Sequence, residues 1–318
     1  MRRARPAELV LGSVQLGLAY GVANRTGKPS RGAACRLVSR AVDAGVTKFD
    51  TARAYGDAEE RLGEALRTRK AVRTITKLSP LSELPSDAPR RDVRAAVDAS
   101  IDASLYALRK PHIDCLLLHR AEHMTAFGGA VWERLIERLE DGTVLALGVS
   151  VQNAKEADAA LDCPDVRHMQ LPFNLLDWRW SEAGVIDRIR MRSHVTIHAR
   201  SVFLQGVLAA DDPQVWPSVD GVDSEMMTEL LADIAAEYDR DSVADLCLAY
   251  ARGQDWIDGV VVGMETEHQL EENLRLFVRA PLSVEDCAAI GRRIPRVPER
   301  LLDPAQWRRQ WPAVIPGR

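Results

Sequence analysis

Short apolar runs alternate with amphipathic stretches along almost the whole chain, the pattern of repeated βα units around a parallel sheet. The runs at 9–14, 46–50, 74–77, 113–119, 146–150, 168–171, 195–199 and 259–262 predict eight strands. Stretches with helical spacing fall between them, at 31–44, 59–68, 91–109, 130–141, 154–161, 181–192, 226–238 and 243–252. The first helix is the most sharply marked. Ser30 precedes it as an N-cap, Gly45 closes it, and Leu37, Val38 and Val42 share one side. Eight strand–helix units with no Gly/Pro/Ser-rich linker predict one α/β domain over residues 1–318, a (β/α)8 TIM barrel with its active site at the C-terminal mouth of the strands. The segment 200–225 and the tail from about 293 to 318 are predicted to fold over one end. A doubly wound sheet fits less well, because Leu11-Gly12-Ser13-Val14-Gln15-Leu16-Gly17 lacks the GxGxxG spacing after the first strand.

The composition agrees with a large core: 318 residues, 46% hydrophobic and 28% charged. The net charge of −4 and the dispersal of arginines along helical faces argue against nucleic acid as a partner. Near the N-terminus only Leu9 to Leu11 forms an apolar stretch, too short for a signal-peptide core or a membrane span, so a cytoplasmic protein with no membrane partner is expected. The five cysteines, Cys35, Cys115, Cys163, Cys247 and Cys287, contain no CxxC pair and predict neither disulfides nor a zinc site; Cys35, Cys115 and Cys247 read as small hydrophobes. His112, His123, His168, His194, His198 and His268 show no metal-ligand spacing, and no metal is expected. A monomer or small homo-oligomer is the simplest assembly.

Barrel chemistry sits where strands end. Asp50 closes the second run, Lys77 the third and His119 the fourth, with Tyr55 in the loop after Asp50. Singly, such residues are commonly a helix cap, a solvated charge or a packing ring. Together at successive strand ends they make an acid/base site. A free tyrosine, with a pKa of about 10, is a poor acid at neutral pH. A neighbouring ammonium stabilises the phenolate left behind, so Lys77 can make Tyr55 a usable proton donor while Asp50 holds the ammonium. His119 would hydrogen-bond the substrate oxygen.

The stretch Phe49-Asp50-Thr51-Ala52-Arg53-Ala54-Tyr55-Gly56-Asp57-Ala58-Glu59, followed by Leu62-Gly63, resembles the signature of the aldo-keto reductase family. Thr76-Lys77 is similar to that family's third-strand lysine, and Asp114-Cys115-Leu116-Leu117-Leu118-His119 to its fourth-strand histidine; the likeness spans about 9–276. The resemblance implies Asp50, Tyr55, Lys77 and His119 as a catalytic tetrad. It also implies an NAD(P)H-dependent oxidoreductase that reduces a small-molecule carbonyl, an aldehyde or ketone of sugar-like or specialised-metabolite type.

The resemblance places Ser150 and Gln170 on the nicotinamide carboxamide, with Val151 where the family carries Asn. Arg200, in the stretch leading to Gly206, stands where the family puts an aromatic against the ring, and a guanidinium can also stack. Gly263, Gln269, Glu272 and Asn273 match the loop and helix that hold the adenosine phosphate, and Glu265 lies in that loop as a carboxylate that would repel a 2′-phosphate and accept instead from a free ribose hydroxyl. The family's habit puts NADPH slightly ahead of NADH. Against that, Gly263, Met264, Glu265, Thr266 and Gln269 supply no cation for a 2′-phosphate, although Arg275 lies one turn on. Two other readings of the same residues stay open: a nucleotide-binding regulatory barrel, and a non-redox isomerase or lyase. Trp178 and Trp180 are candidates either for the substrate wall or for packing, and Trp307 and Trp311 either for a cap or for a subunit contact.

Overall fold

In the computed structural model, which describes residues 7–69 and 71–307, eight parallel strands close into a barrel in chain order. They are β1 (Glu8–Gly12), β2 (Lys48–Asp50), β3 (Arg73–Lys77), β4 (Cys115–Leu118), β5 (Leu147–Ser150), β6 (Val166–Pro172), β7 (Thr196–Arg200) and β8 (Gly259–Gly263). The helices around them are α1 (Arg31–Asp43), α2 (Ala58–Ala65), α3 (Arg90–Leu108), α4 (Ala130–Glu140), α5 (Ala154–Asp162), α6 (Val185–Met191), α7 (Ser224–Glu237), α8 (Val243–Arg252), α9 (Glu267–Val278) and α10 (Val284–Arg293). No helix among the described residues is long and apolar enough to cross a membrane.

The strands read as apolar runs because both of their faces are covered. Phe49, Leu116, Val149, Ile197 and Val260 are fully or nearly fully buried between sheet and helices. The helices owe their limits to caps: the Ser30 hydroxyl accepts from Ala33 N–H at the start of α1, and Gly45 takes a φ of 95° just past its end. Charged residues pair across the outer faces, as where Arg134 and Arg138 of α4 both hold Asp98 of α3. Cys115 and Cys247 are buried as expected, and Cys35 is half-buried.

Several boundaries move, each for a local reason. The first run is not strand to its end: the chain turns at Ser13, whose N–H donates to the Asp50 carbonyl, and Val14–Gly17 forms a helical turn. The fourth strand begins late because the Asp114 carboxylate accepts from both the N–H and the hydroxyl of Thr74 in place of a ladder partner; Ile113 makes only an isolated bridge to Val144. The single helix expected at 181–192 is broken at Gly184, with a φ of 70°, into a turn at Arg179–Glu182 and α6. Helix α10 lies beyond the last predicted helix. Trp311 and the last part of the tail, residues 308–318, lie outside the described residues.

Register brings the strand ends to a common rim. Gly12 pairs with Asp50, Lys77 with Leu117, Ser150 with Gln170, Pro172 with Arg200, and Gly12 again with Gly263.

Candidate active site

The rim carries an ionic network below its surface. Lys77 Nζ donates to Asp50 Oδ1 at 2.6 Å and to the Thr51 carbonyl at 2.9 Å, and Gln170 Nε2 donates to Asp50 Oδ2 at 2.7 Å. Both carboxylate oxygens of Asp50 are therefore committed. Lys77 and Asp50 are 1% and 3% exposed, so neither charge is solvated and each depends on the other. Burial works against the Lys77 ammonium, but Asp50 and Tyr55 beside it outweigh that and hold its pKa above the ordinary lysine value. The group is a fixed cation at neutral pH.

Tyr55 is carried by the loop after β2, which is fixed from two sides. Gly17 backs onto it so closely that a Cβ there would stand 1.8 Å from the Tyr55 carbonyl oxygen, and Gly56 turns the loop at a φ of 57°. On the other side Glu59, almost fully buried, accepts from the Thr76 hydroxyl at 2.6 Å and pairs with Arg53. The phenol ring is thereby set with Lys77 Nζ 5.0 Å from its centroid. The His119 ring stands edge-on to it, 5.8 Å between centroids and at 89°. His119 follows the last residue of β4, and its pKa is pushed down to about 3 by burial and then by Lys77, Arg200 and Arg120. It is a neutral imidazole at physiological pH, with one N–H to donate. The four side chains singled out in the sequence are thus brought together.

Above them opens a cavity of about 850 Å³, lined at one end by Asp50, Tyr55 and His119 and at the other by Gly263, Glu265, Gln269, Glu272 and Asn273. That size is within the range of cofactor sites. Ser150, Arg200 and Gly206 also line it, while Gln170 lies just beneath. Gln170 fits a carboxamide, for its Oε1 is buried without a partner while its Nε2 is held by Asp50. A ligand N–H placed there would relieve an unpaired acceptor that costs about 1–3 kcal/mol. Arg200 Nη2 leans on the Val151 carbonyl at 3.4 Å, on the β5 side of the mouth. Gly206, with a φ of 93°, lets the loop after β7 press on the loop after β1, since a Cβ there would lie 2.6 Å from that of Ala23.

At the other end the side chain of Gln269 is spent on the start of α9. Its Oε1 accepts from Glu265 N–H at 2.8 Å and Thr266 N–H at 3.3 Å, its Nε2 donates to Glu265 Oε1 at 3.1 Å, and the Gln269 N–H donates to the Thr266 hydroxyl at 3.2 Å. Asn273 Nδ2 donates to the Gln269 carbonyl. Arg275 does not reach the cavity; it pairs with Asp241 on the outer side. Neither Trp178 nor Trp180 walls the cavity. Trp180 is buried and donates to the Pro172 carbonyl at 2.7 Å, and Trp178 donates to Val297 with Arg296 over its ring. The tail does reach the mouth, through Leu302, Asp303, Pro304 and Ala305, with Trp307 tied back to the Leu301 carbonyl.

Sequence reasoning passed over Ser13, Gln15 and Tyr20, which also line the cavity. Ser13 Oγ and Gln15 Oε1 are buried and unpartnered, and Tyr20 accepts from Gln205 across the two loops. Polar residues at 13 and 15 inside an apolar run were the available signal.

The model of the Aldo/keto reductase family matches residues 8–293. The chain belongs to that family. Among its curated relatives is the L-glyceraldehyde 3-phosphate reductase of Escherichia coli K12, 24% identical over 81% of this chain and 82% of the relative. Another is the 6-dehydroglucose reductase of Novosphingobium aromaticivorans, 37% identical over 41% of this chain and 44% of the relative. Among solved structures, an aldo-keto reductase from Bacillus halodurans in its holo form superposes with a TM-score of 0.72 at 19% identity, covering 92% of this chain and 93% of that one; this likeness shows the fold. Family membership makes the chain an oxidoreductase acting on small carbonyl compounds.

Proposed function

We propose that this aldo/keto reductase reduces a sugar-derived aldehyde or ketone to the alcohol at the expense of a nicotinamide cofactor, with Tyr55 as the general acid. The observation that carries the reading is the convergence of Tyr55 and His119 on a cavity whose floor is the paired Lys77–Asp50 ammonium and carboxylate. A bound reduced nicotinamide supplies the hydride that becomes the new C–H bond at the carbonyl carbon. Tyr55 gives the proton that becomes the new O–H bond. His119, kept neutral, donates its N–H to the same oxygen and orients the carbonyl, adding no second cation there. Lys77 steadies the negative charge left on Tyr55 until solvent restores the proton, and Asp50 keeps Lys77 in place. Ser150 and the free Gln170 acceptor would hold the cofactor's carboxamide.

The sugar-like substrate class rests on the names of two relatives, which act on L-glyceraldehyde 3-phosphate and 6-dehydroglucose. The test is oxidation of NADH and NADPH by the purified protein in the presence of short aldoses, phosphorylated trioses and oxidised hexoses. Turnover with at least one is expected. Consumption of no cofactor, with substrate isomerised or cleaved instead, would replace reduction by non-redox chemistry.

A further inference from the structure

Accepting the reductase reading, on which this inference rests, we propose that Glu265 makes the enzyme select NADH over NADPH. In parallel barrels the phosphate-bearing part of a ligand characteristically seats on the loops after the seventh and eighth strands and on the helix N-terminus that follows. Here that is the stretch of cavity wall where β8 runs into α9. A dinucleotide with its reactive ring at Tyr55 presents its adenosine ribose to Glu265, Gln269 and Glu272.

Three features of that wall oppose a 2′-phosphate. Around the start of α9 the N–H groups of Glu265 and Thr266 already donate to Gln269 Oε1, and that of Gln269 donates to the Thr266 hydroxyl, so these three are not free for an anion. The charge there is negative: Glu265 is half-buried and fixed by Gln269 Nε2, while Glu272 lines the same end. The arginines on the adjoining faces of α1 and α9 are committed elsewhere. Arg36 and Arg40 of α1 bind Glu267, Arg40 also binds Glu271, and Arg275 binds Asp241 together with Arg279. Among the described residues no ion pair reaches Glu265. A phosphate dianion placed there would meet a low-dielectric carboxylate with no compensating charge. A free ribose hydroxyl instead finds a fixed acceptor, the arrangement by which acidic residues recognise NAD in other folds.

The test is a fluorescence titration of the intact protein with NADH and with NADPH, for the wild type and for Glu265→Gln, Glu265→Ser and Arg275→Ala. Wild-type protein is expected to bind NADH at least about tenfold more tightly, the worth of one hydrogen bond to a charged group. Glu265→Gln, which keeps the shape and the contact to Gln269, is expected to shrink the ratio of the two Kd values by about tenfold, mainly by tightening NADPH. Glu265→Ser makes the same test with a smaller side chain if the Gln variant does not fold. Arg275→Ala should leave the ratio unchanged, because its guanidinium is held outside the cavity. Equal or tighter binding of NADPH by the wild type, or a ratio unmoved in both Glu265 variants, overturns the inference and leaves the reductase reading standing. Binding of neither dinucleotide overturns both.

Discussion

At the β2–β4 end of the cavity the reactive side chains stand at strand ends or in the loop just beyond, and buried bonds between separate elements hold that end together: Lys77 of β3 to Asp50 of β2, Gln170 of β6 to Asp50, and Thr76 of β3 to Glu59 of α2. At the β8 end the wall is the loop and first turns of a helix, and the cavity-lining side chains of Glu265, Gln269 and Asn273 bond only to residues within four positions of themselves. At the first end, changing Lys77 or Asp50 leaves a buried charge unpaired. The second can change a side chain and leave the barrel intact. A fold of this kind can keep its chemistry fixed while its choice of cofactor is set separately.

The largest effect expected at the first end is on turnover. Tyr55→Phe should lower kcat by about a thousandfold while leaving the cofactor Kd nearly unchanged, since removal of a general acid costs about 10²–10⁴ in rate. Stopped-flow turnover with a parallel binding titration checks both. A Phe variant with full activity would remove Tyr55 from its role. Asp50→Asn should act on stability as well, because it leaves the Lys77 ammonium buried beside a group that can no longer neutralise it; the expected loss is about 3 kcal/mol, read from urea unfolding. Gln170→Leu tests the seam between the two ends. It removes the free acceptor together with the bond to Asp50 Oδ2, and should raise the cofactor Kd about tenfold and lower kcat as well. If Glu265→Gln altered kcat at saturating cofactor as strongly as Tyr55→Phe, the two ends would not be separable and the comparison would fail.

The barrel floor supplies the smallest effect. His168 and His198 lie 4.2 Å apart between centroids, and both nitrogens of His198 and Nε2 of His168 are without partners. Burial, followed for His168 by Lys48 and Lys77 and for His198 by the neighbouring His168, pushes His168 down to about 3 and His198 well below the ordinary value. Unfolded histidines take up protons below about pH 6.5 whereas these do not, so their effect on stability is absent above that pH. Below it, unfolding is favoured increasingly as pH falls toward 3. His198→Leu should reduce the acid-induced loss of stability by roughly 1 kcal/mol per pH unit between pH 6 and 4, measured as the urea midpoint against pH. An unchanged slope would place the acid sensitivity elsewhere.

The barrel was legible in the sequence because strands covered on both faces read as uninterrupted apolar runs, and because helix stops such as Gly45 are chemical necessities of the backbone. The reactive groups were legible for the same reason: Asp50, Lys77 and His119 are the ionisable residues that close such runs. What the runs concealed is polar groups that belong to the mouth. Ser13 and Gln15 looked like the end of a strand, and only the turn at Gly12 and Ser13 shows them facing the cavity. The orientation of long side chains was likewise out of reach. Arg275 is one turn from the adenosine end in sequence, yet it points to Asp241, and Trp178 and Trp180 are taken up by carbonyls of Val297 and Pro172. Spacing places a residue on a face, while the partner it finds depends on elements far away in the chain.

The most direct test of the central claim follows one atom. Cofactor carrying deuterium at the transferred position of C4 is supplied with an accepted sugar aldehyde, and the alcohol is analysed by mass spectrometry. The account predicts one deuterium per product molecule, on the former carbonyl carbon, with wild-type protein and almost no product with Tyr55→Phe. Product lacking the label, or formed equally by the Phe variant, would contradict it.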